Sequence, residues 1–170
     1  MATKKSMWVF IGIIVISAWV LGSTTPALSE SIKCKREADP GKREVEPVLS
    51  AQYYVGSSTQ EAVATCDNGE TPTVKTYSVW AATIGKENLI QGYIVFIFKD
   101  NSKIVMKFNS RSIPDPEGKA EWISDTGAVE IIKGTLRFNG ISGKVSFKGK
   151  TFDDHRTANE WTIDYTLPSK

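Results

Sequence analysis

Histidine occurs once in the chain, as His155, and cysteine twice, as Cys34 and Cys66. A zinc-type centre wants three or more ligands, and these residues lie far apart, so no metal is expected. No Gly-x-Ser-x-Gly elbow is present to support a serine nucleophile. The glycine-rich stretch near residue 140 lacks the strand-turn-helix context of a phosphate loop. No cofactor is therefore expected. Charge of one sign is also missing. The chain has 21 Lys and Arg against 19 Asp and Glu, and setting aside Lys4 and Lys5 leaves 19 against 19. That balance argues against a nucleic-acid surface. Beyond residue 27 no window of helical periodicity competes with strand patterns.

What is present begins with an export signal. Lys4 and Lys5 precede an apolar run from Trp8 to Leu21, followed by Gly22, Ser23 and Ala27. This is the layout of a signal peptide over residues 1–27, with cleavage after Ala27 or Ser29. The run falls short of the ~20 residues of a spanning helix. An uncleaved anchor, touching the membrane only through residues 8–21, is the alternative. Either way the chain is expected to be exported, to a periplasm or the exterior. In an oxidising compartment Cys34 and Cys66 read as one disulfide. Residues 28–50 are polar and charged and read as a mobile leader, with a turn at Asp39-Pro40-Gly41. Residues 51–170 form the folded domain.

In that domain, strands are expected at Gln52 to Val55, Ala62 to Thr65 and Val74 to Thr83. Gly56-Ser57-Ser58 and Asp67-Asn68-Gly69 read as turns. Ile90 to Phe98 is the most apolar segment, with Tyr93, Val95 and Ile97 opposite Ile94, Phe96 and Phe98. Its second apolar face predicts a covering segment, with the leader as candidate, or a homo-oligomer contact through the same strand. Ile104 to Phe108 returns from a polar turn, and Ser110 to Lys119, with Pro114 and Pro116, reads as a loop. Further strands are expected at Ala120 to Ile123, Ala128 to Ile132, Gly143 to Gly149 and Glu160 to Leu167. Val145 and Phe147 share one face of their strand; Trp161, Ile163, Tyr165 and Leu167 share one face of the last. About eight short strands with turns between them predict an all-β antiparallel barrel, or a sandwich, with the barrel favoured because it hides its edges.

From Gly134 to Gly149 the sequence Gly-Thr-Leu-Arg-Phe-Asn-Gly-Ile-Ser-Gly-Lys-Val-Ser-Phe-Lys-Gly sets glycines at Gly134, Gly140, Gly143 and Gly149. It resembles the segment G-T-G-[KR]-[FY]-x-G-[IA]-x-G-x-x-x-[FY]-x-G of small exported bacterial barrel proteins related to the allene oxide cyclases and plant dirigent proteins. Gln91-Gly92-Tyr93 and the turn after it look like that family's central hairpin. Leu136 stands where a glycine is common. The resemblance implies a calycin-like barrel of eight strands, oligomeric in the plant enzymes, and transfers no catalytic residue.

Asp153-Asp154-His155-Arg156 offers a general base or ligand in His155, but a charged tetrad between strands is ordinarily a solvated loop. Asn139 and Asn68 are turn chemistry. The aromatics carry more. Barrels of eight strands are filled by side chains or hold one small ligand. Tyr93, Trp161 and Tyr165, each an apolar ring with a hydrogen-bonding tip, are the candidate lining of such a site. Three readings follow: a non-enzymatic barrel binding a small lipophilic molecule or a protein partner, an isomerase or cyclase acting on an apolar substrate, or a structural protein with a fully packed barrel. A buried ionisable group at a cavity floor, with a shifted pKa, would favour the enzyme over the binder.

Overall fold

The computed structural model describes residues 28–48, 52–83 and 86–169. The signal-peptide reading of residues 1–27 lies outside the described residues. The chain forms β1 (Leu28–Ala38), β2 (Lys42–Pro47), β3 (Tyr53–Val63), β4 (Thr65–Cys66), β5 (Thr73–Thr83), β6 (Glu87–Ile97), β7 (Lys103–Pro114), β8 (Trp122–Thr135), β9 (Ser142–Thr151) and β10 (Thr157–Leu167), with one 3-10 turn at Leu136–Phe138. All ten belong to one antiparallel sheet in the order β2-β3-β5-β6-β7-β8-β9-β10-β1-β4.

The sheet closes on itself. β4 continues β3 past Ala64, and β2 continues β1 past a kink at Asp39-Pro40-Gly41. Along this long hairpin Cys34 pairs with Cys66 towards its open end, and pairing resumes at Lys42 opposite Thr59 and runs to Pro47 opposite Tyr54. Counting each continued strand once, the ten segments make an eight-stranded barrel. Between the two paired stretches β1 and β3 have no backbone ladder, and side chains bridge the gap.

Four expectations need correction here. Leu28–Ala38 is a barrel stave, paired along its length with β10, and covers nothing. Its alternation is of Ile32, Cys34 and Ala38, all buried, against Lys33, Lys35 and Glu37. Second, Gly56 is no turn but the middle of β3, opposite Trp80. A methyl group there would fall 2.4 Å from the Trp80 ring, so glycine makes room for the indole. Third, β7 runs on to Pro114, with Ser110 and Ser112 buried; proline is tolerated because it ends the strand. Fourth, the strands expected on either side of residue 125 are one strand, β8, whose register shifts between Ser124 and Val129.

One end of the barrel is solid. Val74, Phe96, Ile104, Met106 and Ile163 are essentially inaccessible. Phe96 meets Trp161 edge-on at 5.3 Å, and Phe138 packs on Phe98 at 4.9 Å and Tyr165 at 5.8 Å between centroids. The glycine-patterned stretch builds this end: the 3-10 turn drops Phe138 into the barrel, Gly140 turns the chain with φ of 77°, and Ile141 follows Phe138 inward. Gly143 and Gly149 then lie in β9. Arg137 closes the end from outside, 4.6 Å over the Phe138 ring and ion-paired with Glu70 at 2.6 Å.

Candidate functional site

The opposite end is hollow. Above the aromatic plug lies an open cup of about 810 Å³. From Ile94 to Asn88 its wall rises about 20 Å along β6 at the usual ~3.3 Å per residue. The cup follows from strand alternation: each stave turns large side chains inward at the plug and smaller or polar ones above it. On β5 the inward series is Val74, Thr76, Ser78, Trp80 and Ala82; on β7 it is Met106, Phe108, Ser110 and Ser112. The apolar wall is Trp80, Ile90, Ile94, Phe108, Trp122 and Phe147. A largely preformed apolar hollow with few convergent polar groups is the ordinary form of a small-molecule site.

Most polar groups in the wall satisfy one another. The Ser58 and Ser78 hydroxyls bond at 2.7 Å, and Ser112 bonds to Ser124. Thr157 donates to Gln60 at 3.3 Å, and Asn159 donates to Thr157 at 3.3 Å. Among the described residues three buried side-chain polar atoms have no partner: Nε of Arg36, Nε1 of Trp161 and Oδ1 of Asn88. All three residues line the cup.

Arg36 is the central feature. It sits on β1 one inward step above the Cys34–Cys66 disulfide, only 4 % exposed. Its Nη1 donates to the Val74 carbonyl at 3.5 Å and the Thr76 hydroxyl at 3.0 Å, and Nη2 reaches the Gln60 amide oxygen at 3.5 Å. The bond to Gln60 bridges the stretch where β1 and β3 lack a ladder, and the other two reach past β3 to β5. The guanidinium also lies 5.4 Å from the centroid of the Trp161 ring. Among the described residues no carboxylate pairs with it. Burial lowers its pKa to about 10, which leaves it cationic at neutral pH.

The three residues expected to line a ligand site separate. Trp161 does so, 2 % exposed at the floor. Tyr165 lies in the plug below, and its hydroxyl bonds to the Glu30 carboxylate. Burial, then that bond, raises its pKa. Tyr93 points out of the barrel, 47 % exposed, because it alternates with the inward Ile94. The expected disulfide is formed. His155 lies on the rim beyond β9 with φ of 65°, half exposed, its Nδ1 3.9 Å from Glu121. Its neighbours Asp154 and Arg156 pair with each other at 2.6 Å, as a solvated loop does. Among the described residues no group of three or more His, Cys, Asp or Glu comes together to hold a metal.

Sequence reasoning missed Arg36, because four charged side chains crowd Lys33, Lys35, Arg36 and Glu37 and hide the alternation. The signal that finds it is parity: Ile32, Cys34 and Ala38 put position 36 inside. Comparison with models of known families and with curated proteins returns no match. Among the described residues no helix is long and apolar enough to cross a membrane.

Proposed function

We propose that this is an exported barrel protein that binds one small lipophilic molecule in its cup, without turning it over. The observation that carries this reading is the hollow half of the barrel, about 810 Å³ walled by Trp80, Trp122, Phe108, Phe147 and Trp161. A fully packed barrel with only surface roles accords poorly with that hollow. Binding is favoured over isomerisation by the kind of ionisable group present. The floor does hold a buried group with a shifted pKa, but Arg36 stays protonated at neutral pH, and proton transfer needs a group poised near the working pH. His155 and Glu121 stand at the wet rim. Export is supported by the disulfide and by the signal-like residues 1–27. An eight-stranded barrel also supports the resemblance to the allene oxide cyclase and dirigent barrels in architecture.

The test is uptake of the uncharged fluorophore N-phenyl-1-naphthylamine, together with native mass spectrometry of protein purified from its own envelope. Saturable uptake of one fluorophore, or one retained ligand per chain, is expected. A protein that takes up no apolar probe and carries no ligand overturns the reading.

A second surface supports self-association. Tyr77, Val79, Leu89 and Tyr93 stand on the outer face of the adjacent strands β5 and β6, each about half exposed. Sedimentation velocity is expected to show an oligomer that Leu89→Lys breaks; a monomer at all concentrations removes this surface from consideration.

A further inference from the structure

We infer that the cup's ligand is an amphipathic monoanion, a lipophilic molecule ending in a carboxylate, whose headgroup seats at the floor on the Arg36 guanidinium and the Trp161 indole N–H. This rests on the binding reading above and adds the ligand's charge and orientation. Three observations carry it. First, the buried cation lacks a carboxylate partner among the described residues, although removing a charge from water without one is costly. Second, the unused donors lie together. Nε of Arg36 is unbonded, its neighbour Nη2 has only the 3.5 Å contact to Gln60, and the unbonded Trp161 Nε1 belongs to the ring the guanidinium covers. A guanidinium edge of this kind matches a carboxylate in fork geometry. Third, beside the Thr76 and Gln60 side chains that Arg36 already engages, apolar groups flank the headgroup site: Ile94 stands opposite Thr76 in the β5–β6 ladder, and the Phe147 ring lies 6.0 Å from that of Trp161. One buried charge suits a monoanion; the other lining cations, Arg43 and Lys150, are on or beside the rim, with Arg43 held 5.5 Å over Trp80.

The unpartnered Asn88 Oδ1 sits about 20 Å up the same wall. It accepts a hydrogen bond, so a ligand hydroxyl or amide near the mouth would complete the set of unsatisfied groups.

The experiment displaces N-phenyl-1-naphthylamine from the purified protein with dodecanoate, dodecan-1-ol and dodecyltrimethylammonium, chains equal in length and different in headgroup. Dodecanoate is expected to displace at least ten-fold more tightly than the alcohol, and the ammonium compound more weakly than either. Arg36→Met is expected to bring acid and alcohol within two-fold of each other while the fluorophore still binds. Arg36→Lys, which keeps the charge and loses the fork, is expected to fall between. Equal displacement by acid and alcohol in the wild type overturns the anion reading and leaves apolar binding intact. So does a fluorophore that none of the three displaces. Failure of the fluorophore itself to bind overturns both. The wild-type comparison needs no variant to fold.

Discussion

Cys34 and Cys66 stand directly opposite each other in the short ladder that joins β1 to β4, their Cα atoms 4.0 Å apart and their sulfurs bonded. That ladder spans only two residues of β4, so the covalent link holds the closing seam of the barrel where hydrogen bonds are fewest. Arg36 rides on the same stave, one inward position further. Closing a loop of this length, 32 residues apart in sequence, stabilises by roughly 3–4 kcal/mol in the chain-entropy account. Reduction, or the pair Cys34→Ser with Cys66→Ser, is expected to lower the melting temperature by on the order of 10 °C. Differential scanning calorimetry with and without reductant measures it. An unchanged melting point would mean that the seam holds by packing alone.

Leu136 has φ of 54° and is 65 % exposed. A Cβ in the left-handed region costs roughly 1–2 kcal/mol, and an exposed side chain recovers little of that by packing. This is also the one position where the glycine pattern of the stretch is broken. Leu136→Gly is expected to raise stability by about 1 kcal/mol, read as a higher midpoint in urea. A lower midpoint would show that the leucine makes contacts worth more than the backbone strain.

The barrel was legible where one face is apolar and the other polar. Val145 and Phe147, or Trp161, Ile163 and Tyr165, fall inward as their alternation requires. It was illegible where the interior stops being apolar. Ser58, Gln60, Thr76 and Ser78 line the cup and so look, in sequence, like a solvated surface. Arg36 is the extreme case, an inward charge among outward ones. Gly56 imitates a turn because absence of a side chain serves two purposes, and only the facing Trp80 tells them apart. Tyr93 has the chemistry of a lining residue, but its alternation with inward Ile94 and Phe96 sets it on the outer face.

The Tyr165 hydroxyl bonds to Glu30, and burial followed by that bond raises its pKa above the ordinary tyrosine value of 10. A phenol that ionises in the unfolded chain before the folded one contributes stability that is complete below pH 10. It is lost progressively as pH rises from there towards the folded value. Tyr165→Phe is expected to cost about 1 kcal/mol at neutral pH, through the lost bond to a charged acceptor. It should also flatten the decline of stability above pH 10. Urea unfolding at several pH values checks both; identical alkaline slopes in the two proteins would show that Tyr165 does not govern that limb.

Arg36 gives the sharpest test of whether the floor is built for folding or for a ligand. Its pKa in the folded protein, about 10, lies below its ordinary 12.5, and burial is the cause. Below pH 10 both states carry the charge, so the folded state bears the full desolvation cost throughout the physiological range. That cost is relieved only as pH rises past 10, where the folded guanidinium loses its proton before the unfolded one does. Against it stand the bonds to Thr76, the Val74 carbonyl and Gln60, and the Trp161 ring beneath. Replacing an uncompensated buried charge by an apolar side chain of similar length is commonly neutral or stabilising. Arg36→Met is therefore expected to unfold in urea at or above the wild-type midpoint, by about 1 kcal/mol, when no ligand is present. Adding dodecanoate should reverse the order, because ligand that binds only the folded state stabilises the wild type by mass action. A variant destabilised by several kcal/mol without ligand, and not overtaken with it, would make Arg36 a fastener of the seam between β1 and β3.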